Sequence, residues 1–158
     1  MDTKIELIIV AQLTVAFILG SIIGLEREMH GNSAGIRTYA AVTLGAALFT
    51  LIGIHTTDIT AAGRIVANIV TGIGFLGAGI IYKDNAKGLI HGLTTASSIW
   101  AAAAVGVAVA YNMYIIAISA TIAIYFLLAL HHFRWYIKLN KKWAGKHIPS
   151  SPEEGHEH

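Results

Sequence analysis

A short segment between two apolar stretches carries the side chains of this sequence that are best suited to chemistry. Glu26 and Glu28 supply carboxylates, and Arg27 and Arg37 supply guanidinium groups. A carboxylate beside hydrocarbon needs a partner, because burying it unpaired costs several kcal/mol. In one interpretation Arg37 neutralises Glu26 and the pair pins two helix ends. In the other, Glu26 and Glu28 are oxygen ligands of Mg²⁺, which takes one or two carboxylates and keeps several waters.

Residues 72–79 contain the glycine spacing that binds pyrophosphate in soluble dinucleotide-binding folds. Gly72, Gly74 and Gly77 match Gly-x-Gly-x-x-Gly, and Gly79 extends the run. No acidic residue follows about 20 positions later to hold a ribose, and the segment is apolar enough to cross a bilayer, so nucleotide binding is excluded. Glycines in such a helix favour close packing of a neighbouring helix. The alternative is a helix that unwinds at the glycines to line an ion site.

Polar side chains accompany these glycines. Asn68 and Gly72 lie four residues apart and therefore share one helix face. Lipid offers no hydrogen bonds, so these polar groups must be satisfied within the protein. The indole N–H of Trp100 needs an acceptor, and Asn68 or Thr71 is a candidate. We predict a binding or packing groove that is formed by Asn68, Thr71, Gly72, Gly74, Gly77, Gly79, Thr94, Thr95 and Trp100.

A second pair of charges, Asp58 and Arg64, lies in another connection between apolar stretches. An exposed ion pair adds little stability, whereas at the mouth of a pathway the same two charges would select ions. Catalytic motifs such as Gly-x-Ser-x-Gly and His-Glu-x-x-His are missing from the sequence, so we expect no enzyme. The chain has no cysteine, which excludes disulfides and thiolate metal sites.

The elements that position these residues are five apolar stretches. Only 13% of the 158 residues are charged, against about 25% in soluble domains. Uncharged stretches cover residues 7–25, 38–57, 65–82, 92–111 and 113–130. Each approaches the ~20 residues that a helix needs to span a bilayer. We therefore predict an all-α membrane domain over residues 1–131, a bundle of five transmembrane helices, with a tight turn at Asn112 rather than one long final helix.

The basic residues predict the orientation of this bundle. Nine lysines and arginines fall on the side that holds the C-terminus, against two on the side of the N-terminus. Basic side chains stay on the cytoplasmic side, so we expect the N-terminus outside and the C-terminus in the cytoplasm. Residues 132–147 mix aromatic and basic side chains, which is typical of a juxtamembrane segment on lipid. Residues 148–158 are too polar and proline-rich to pack, and we expect disorder.

Four stretches in series resemble the MgtC/SapB family of small bacterial inner-membrane proteins. They are Gly-Leu-Glu-Arg-Glu at 24–28, Ala-Gly-Ile-Arg-Thr at 34–38, the run from Arg64 to Gly79, and Gly-Leu-Thr-Thr-Ala at 92–96 leading to Trp100. The resemblance covers most of the apolar region. Longer family members carry a soluble C-terminal domain, so this sequence looks like a short form that lacks it.

The resemblance implies a multi-pass protein of the bacterial inner membrane that is linked to magnesium homeostasis. It implies no required cofactor, with Mg²⁺ as a candidate ligand. Some relatives act on the F-type ATP synthase, which is a candidate partner alongside the lipid bilayer and further copies of the chain; no nucleic acid is expected. We expect a protein that acts by helix contacts with itself or a membrane partner. The alternative is a small oligomeric transporter or channel for Mg²⁺ or another ion.

Overall fold

The computed structural model describes residues 2–56, 58, 60–84 and 89–130. Five helices follow one another along the chain: α1 (Thr3–Met29), α2 (Ile36–Ile54), α3 (Ala61–Ile80), α4 (Leu93–Ala110) and α5 (Tyr114–Ala129). Between α3 and α4 lies an antiparallel pair of short strands, β1 (Tyr82–Asp84) and β2 (Leu89–His91). The predicted juxtamembrane segment at 132–147 and the tail at 148–158 lie outside the described residues.

Four of these helices, α1 to α4, are long and apolar enough to cross a membrane. The fifth, α5, is an apolar helix of 16 residues. At 1.5 Å per residue it extends about 24 Å, which is shorter than a typical ~30 Å hydrocarbon core. The prediction of an all-α protein with five helices is confirmed, whereas a fifth crossing stays a prediction.

Two helices begin or end at residues other than the limits of the predicted apolar stretches. α1 begins at Thr3, where the Asp2 side chain accepts a hydrogen bond from the Lys4 amide at 3.3 Å. It continues to Met29 and so includes Glu26 as helical sequence. α3 ends at Ile80, two residues before the predicted end, because the chain there turns into β1.

The tight turn between α4 and α5 is held by a glutamine from α1. Asn112 has a φ of 60°, a left-handed conformation that asparagine tolerates better than most residues. The buried Gln12 amide donates to Ala110 O and to Asn112 Oδ1, each at 3.1 Å, and lies 3.4 Å from Val109 O. These contacts satisfy carbonyls that the end of a helix leaves without partners. The prediction of two helices separated at Asn112 is confirmed.

The core lies where α1, α2 and α4 meet, and glycines allow the close approach of their backbones. A side chain at Gly20 would overlap the Thr43 hydroxyl and lie 2.7 Å from Tyr39 O, and one at Gly106 would overlap Thr43 O. Small residues therefore permit these helix contacts, as is usual in membrane bundles. The buried apolar side chains of the core include Ala16, Leu19, Ile23, Ala47, Ile99, Ala102, Val105, Val109 and Ala117.

Candidate functional site

A buried set of polar side chains lies at the end of the bundle where α1 finishes. Its members come from α1, the following loop, α2 and α4, and we refer to them as the polar cluster: Glu26, Arg27, Asn32, Tyr39, Thr95 and Ser98. Glu26, Arg27, Tyr39, Thr95 and Ser98 are all buried. Ionisable residues inside a membrane bundle are rare and usually functional, so the cluster is a candidate site.

Arg27 connects three parts of the chain within the polar cluster. Its Nη2 atom donates to Asn32 Oδ1 at 2.6 Å and to Thr95 Oγ1 at 3.1 Å. The Asn32 amide groups return two bonds, because both its side-chain and backbone nitrogens donate to Arg27 O at 3.1 Å. Arg27 therefore fixes the end of α1 against α4 and closes the loop that leads to α2.

Tyr39 joins α2 to α4 through its hydroxyl, which lies 2.5 Å from Ser98 Oγ. The single hydroxyl proton of Ser98 is directed at Thr95 O, 3.0 Å away. Tyr39 is therefore the donor and Ser98 the acceptor of the bond between them. The Tyr39 ring is fully buried and also forms part of the apolar core.

Glu26 is the least satisfied member of the cluster. Its side chain is 1% exposed, and neither carboxylate oxygen accepts a hydrogen bond within the described part of the chain. The nearest basic group is His30, whose Nδ1 lies 3.2 Å from Oε1. The same Nδ1 lies 2.6 Å from the backbone oxygen of Glu26, so the ring nitrogen is placed between the carboxylate and the backbone carbonyl of this residue. The predicted partner Arg37 is exposed instead and forms no ion pair in the described residues.

Glu28 lies away from Glu26, because residues two apart on a helix point to nearly opposite sides. Its Oε2 accepts a hydrogen bond of 2.9 Å from the backbone amide of Ile36 and so caps the start of α2. Among residues 2–56, 58, 60–84 and 89–130, no three histidine, aspartate or glutamate side chains are grouped as metal ligands. The geometry therefore gives the predicted Mg²⁺ site at Glu26 and Glu28 no support.

The nine residues predicted to form one groove do not come together in the structure. Asn68 and Gly72 line an apolar groove of about 560 Å³ between α2 and α3, together with residues such as Ala41, Gly45 and Phe49. Gly77 faces α4, where a Cβ added to it would lie 3.5 Å from the side chain of Ala96. Thr95 belongs to the polar cluster. The remaining members, Thr71, Gly74, Gly79, Thr94 and Trp100, are exposed at the surface of the chain.

Trp100 does not form the predicted hydrogen bond. The ring is 52% exposed, and the Thr71 hydroxyl donates to Ala67 O rather than meeting the indole. Trp100 lies on the outer face of α4 with Ser97 and Ala104, at positions three and four residues apart, while the opposite face packs in the core. Sequence spacing alone did not reveal which side of this small-residue helix faces its neighbours.

α3 is one continuous helix from Ala61 to Ile80, so its glycines do not interrupt it. Only Gly77 is buried along its 20 residues. A Cβ added at Gly72, Gly74 or Gly79 would have no described residue within 4 Å. Within the chain, the glycine run therefore faces outward, and Gly20, Gly24 and Gly106 form the tight internal contacts instead.

Asp58 and Arg64 organise the start of α3. Asp58 Oδ1 accepts from the Thr60 amide at 2.8 Å and from its hydroxyl at 2.7 Å, and Arg64 donates to Oδ2. The Thr60 hydroxyl, followed by the Thr60 amide and Arg64, lowers the pKa of the Asp58 carboxyl below its usual value. Asp58 and Arg64 therefore stabilise the start of α3, and both residues lie on an exposed part of the chain.

Known proteins resemble this chain over most of its length. Residues 13–134 match the model of the MgtC family. Protein MgtC of Salmonella typhimurium is 43% identical over 115 residues, 73% of this chain and 48% of that protein. Protein MgtC of Brucella abortus is 42% identical over 119 residues, which cover 70% of this chain and 49% of that protein. An uncharacterised Synechocystis protein is 46% identical over 95 residues, which cover 60% of this chain and 40% of that protein.

The chain thus spans about half the length of the curated relatives it matches. No solved structure matches it. The matched region contains α1 from residue 13 onward and the whole of α2 to α5, and therefore both the polar cluster and the glycine run. On the family match and the identity to named relatives, the predicted family is confirmed, and this membrane protein belongs to the MgtC family.

Proposed function

We propose that this protein acts in magnesium-linked homeostasis by helix contacts with itself or with another membrane protein, and that α3 provides the contact surface. It performs this role without catalysing a reaction. The family resemblance supports the physiological role. The outward glycine run of α3 supports the mode of action, and it is the observation that carries the proposal.

A spanning helix with one buried residue has most of its surface available to neighbours. Lipid tails are as apolar as leucine, so burying apolar side chains does not by itself drive helix association in a bilayer. Close backbone packing does, and it requires small residues. α3 presents Gly72, Gly74 and Gly79 with open space above each of them.

The hydrogen-bonding groups of Asn68 also favour association of α3 with another helix. Its amide lies on the same face as Gly72 at the edge of the groove between α2 and α3. No hydrogen bond to this amide is formed in the described residues, and hydrocarbon would leave its donors and acceptor unsatisfied. An approaching helix that contacts Gly72 would also bring backbone or side-chain partners to Asn68.

In this proposal the protein lies in the bacterial inner membrane with the polar cluster toward the cytoplasm. The excess of lysine and arginine on that side of the sequence supports the orientation. The F-type ATP synthase is a candidate for the membrane partner on the resemblance alone.

Leucine substitutions on α3 test the proposal. Gly72→Leu and Gly74→Leu should each abolish the oligomer or partner complex of the purified protein in mild detergent, because leucine fills the space that a neighbouring backbone would occupy. Both variants should keep wild-type helix content, since no described residue lies within 4 Å of a Cβ added at either position. Ala123→Leu, an exposed small residue on α5, is the matched control and should leave assembly unchanged.

Unchanged assembly in both glycine variants would contradict the proposal. Ion flux in proteoliposomes containing the wild-type protein would favour the transporter or channel instead. In that case flux, rather than association, should be lost when the Asn68 or Gly72 side of α3 is altered.

A further inference from the structure

A short hairpin of two strands joins α3 to α4 at the end of the bundle that carries the polar cluster. β1 and β2 pair antiparallel, with Tyr82 opposite His91, Lys83 opposite Ile90 and the last pair at the far end of the strands. Two strands of three residues form no stable sheet in water by themselves, because they bury too little apolar surface. The hairpin therefore depends on what surrounds it.

The hairpin follows the membrane helices without a linker. β1 begins at Tyr82, two residues after α3 ends, and β2 ends at His91, two residues before α4 begins. At Gly92, φ is 84° and an added Cβ would overlap Ile80 O, so glycine allows the two helix ends to lie this close. The strands are therefore fixed directly to the ends of two apolar helices.

The lengths of these elements place the hairpin in the headgroup layer of the bilayer. α3 has 20 residues and extends about 30 Å, which matches the hydrocarbon core. The headgroup layer beyond the core is about 5–7 Å thick on each side. A strand of three residues extends about 10 Å, so it meets this layer over most of its length. Lipid headgroups are therefore the first partners available to the hairpin.

The exposed side chains of the hairpin fit this layer. Ile90 is 65% exposed, Tyr82 62% and Leu89 54%. The Tyr82 ring stacks on His91 with centroids 5.2 Å apart, and tyrosine is enriched at membrane interfaces. Lys83 is exposed and forms no ion pair with the described residues. The hairpin thus offers both apolar side chains and a cation to its surroundings.

The two faces of the hairpin differ in charge. Directly opposite residues share a face and successive residues alternate, so Lys83 and Ile90 lie on one face, and Asp84 and Leu89 lie on the other. A leaflet that contains anionic lipid attracts the lysine and repels the aspartate carboxylate. Charge therefore selects the face of Lys83 and Ile90 as the one toward lipid.

We propose that the β1–β2 hairpin is a binding site for anionic lipid. The Ile90 side chain enters the boundary between headgroups and acyl chains, and the Lys83 ammonium binds the phosphate of an adjacent lipid. The site continues the lipid-facing surface of α3 and α4 beyond the hydrocarbon. It is independent of whether α3 binds a protein partner.

Single cysteines can report the depth of the hairpin, because the chain has none of its own. Nitroxide labels are attached to Ile90→Cys, Leu89→Cys and Ser33→Cys, and each protein is placed in nanodiscs of phosphatidylcholine with an equal amount of phosphatidylglycerol. Ser33 is exposed in the loop between α1 and α2, at the same end of the bundle, and is the matched control. Oxygen concentrates in hydrocarbon and a nickel chelate in water, so the relaxation that each causes measures the depth of the label.

Oxygen should relax the label at residue 90 more strongly than nickel does, and the reverse should hold at residue 33. The label at residue 89 should lie closer to water than the label at residue 90. Equal access of nickel to residues 90 and 33 would overturn the proposal, and so would a label at residue 89 as deep as that at residue 90. A label at residue 90 that is shielded from both reagents would also overturn it, because a protein would then cover the hairpin.

Removing the lysine charge tests the anionic character of the lipid. In the mixed nanodiscs, Lys83→Gln should move the label at residue 90 toward water, whereas in phosphatidylcholine alone it should have no effect. Lys4→Gln, at an exposed lysine near the start of α1, is the control and should leave the depth unchanged in both. An unchanged depth in Lys83→Gln, or the same shift in both lipids, would overturn the proposal.

Discussion

At the residue scale, the polar cluster combines a cation that is hydrogen-bonded through one nitrogen with an anion that accepts no hydrogen bond in the described residues. Arg27 forms side-chain hydrogen bonds to Asn32 and Thr95, whereas the adjacent Glu26 carboxylate accepts none within the described residues. Both side chains are almost fully buried. Removing one charge from such a buried cluster is costly, because the remaining charge and polar groups stay in a medium of low dielectric constant.

Replacing the cation alone should therefore destabilise the protein strongly. Arg27→Leu is expected to lower the free energy of unfolding by about 3–5 kcal/mol, since it removes the positive charge from a buried cluster that also holds Glu26 and leaves Asn32 and Thr95 without their donor. The measurement is reversible unfolding in mixed micelles. The double variant Glu26→Leu/Arg27→Leu should recover much of the loss, because two apolar side chains leave no charge behind.

The exposed Arg37→Leu is the control, with an expected change of no more than about 0.5 kcal/mol. A loss in Arg37→Leu as large as that in Arg27→Leu would show that Arg37 stabilises Glu26 after all.

Asp58 predicts a pH dependence at the start of α3. Its pKa is lowered by Thr60 and Arg64, so its stabilisation is present above the unfolded-state value of 3.8 and is lost as the pH falls below that value through the folded pKa. At neutral pH, Asp58→Asn should increase hydrogen exchange of the Arg64 amide, which donates to Thr60 O at 3.2 Å. The difference from wild type should vanish in strong acid. A difference that persists there would mean that carboxylate charge is not its cause.

Individual site residues were only partly predictable from sequence. Glu26 and Arg27 stand out because charge at the end of an apolar stretch is unusual, and both lie in the polar cluster. Tyr39, Ser98 and His30 were missed, because a hydroxyl or an imidazole in or beside a helix gives no signal until its neighbours are known. The predicted partner of Glu26 was wrong: His30, the C-cap residue of α1, lies 3.2 Å from the carboxylate, whereas Arg37 forms no ion pair in the described residues.

At the element scale, the glycines of this chain fall into two groups with opposite environments. Gly20, Gly24 and Gly106 lie where α1, α2 and α4 come closest, and an added side chain would meet backbone atoms at each of them. Gly72, Gly74 and Gly79 on α3 have open space. The first group permits the fold, and the second is available to whatever lies next to the chain in the membrane.

Alanine substitutions should separate these two groups. Gly106→Ala is expected to destabilise the bundle by about 1–3 kcal/mol, because the new methyl group would overlap Thr43 O and force α2 and α4 apart. Gly74→Ala should leave stability unchanged or raise it slightly, since alanine favours helix more than glycine does. Thermal unfolding of the two variants under identical detergent conditions gives the comparison. Equal destabilisation would contradict the assignment of the two groups.

Sequence predicted the helices better than it predicted their packing. Long uncharged stretches identify α1 to α4 because a bilayer requires about 20 apolar residues, and Asn112 marks the turn before α5. The β1–β2 hairpin was missed, since two strands of three residues are too short for an alternating pattern to be recognised. The glycine run suggested an internal contact, but spacing cannot distinguish a face toward the core from a face toward lipid or another protein.

At the scale of the whole molecule, the described chain has one well-packed side and one sparsely covered side. α1, α2 and α4 form the core, and α3 lies against α2 and α4 with nearly all of its residues exposed. The chain spans about half the length of its curated relatives, and its match to the family covers residues 13–134, which contain α2 to α5. A surface used for helix contacts would therefore belong to the part that the family members share.

Site-specific photo-crosslinking in native membranes tests this central claim most directly. A benzophenone amino acid replaces Gly74 on α3 in one sample and Ile115 in the other; Ile115 is 86% exposed on α5, and the space above Gly74 accommodates the added ring. We predict a defined protein adduct at position 74, either a dimer of this chain or a complex with one membrane protein, and none at position 115. Lipid adducts alone at position 74, or the same protein adduct at both positions, would contradict the claim that α3 is the contact surface.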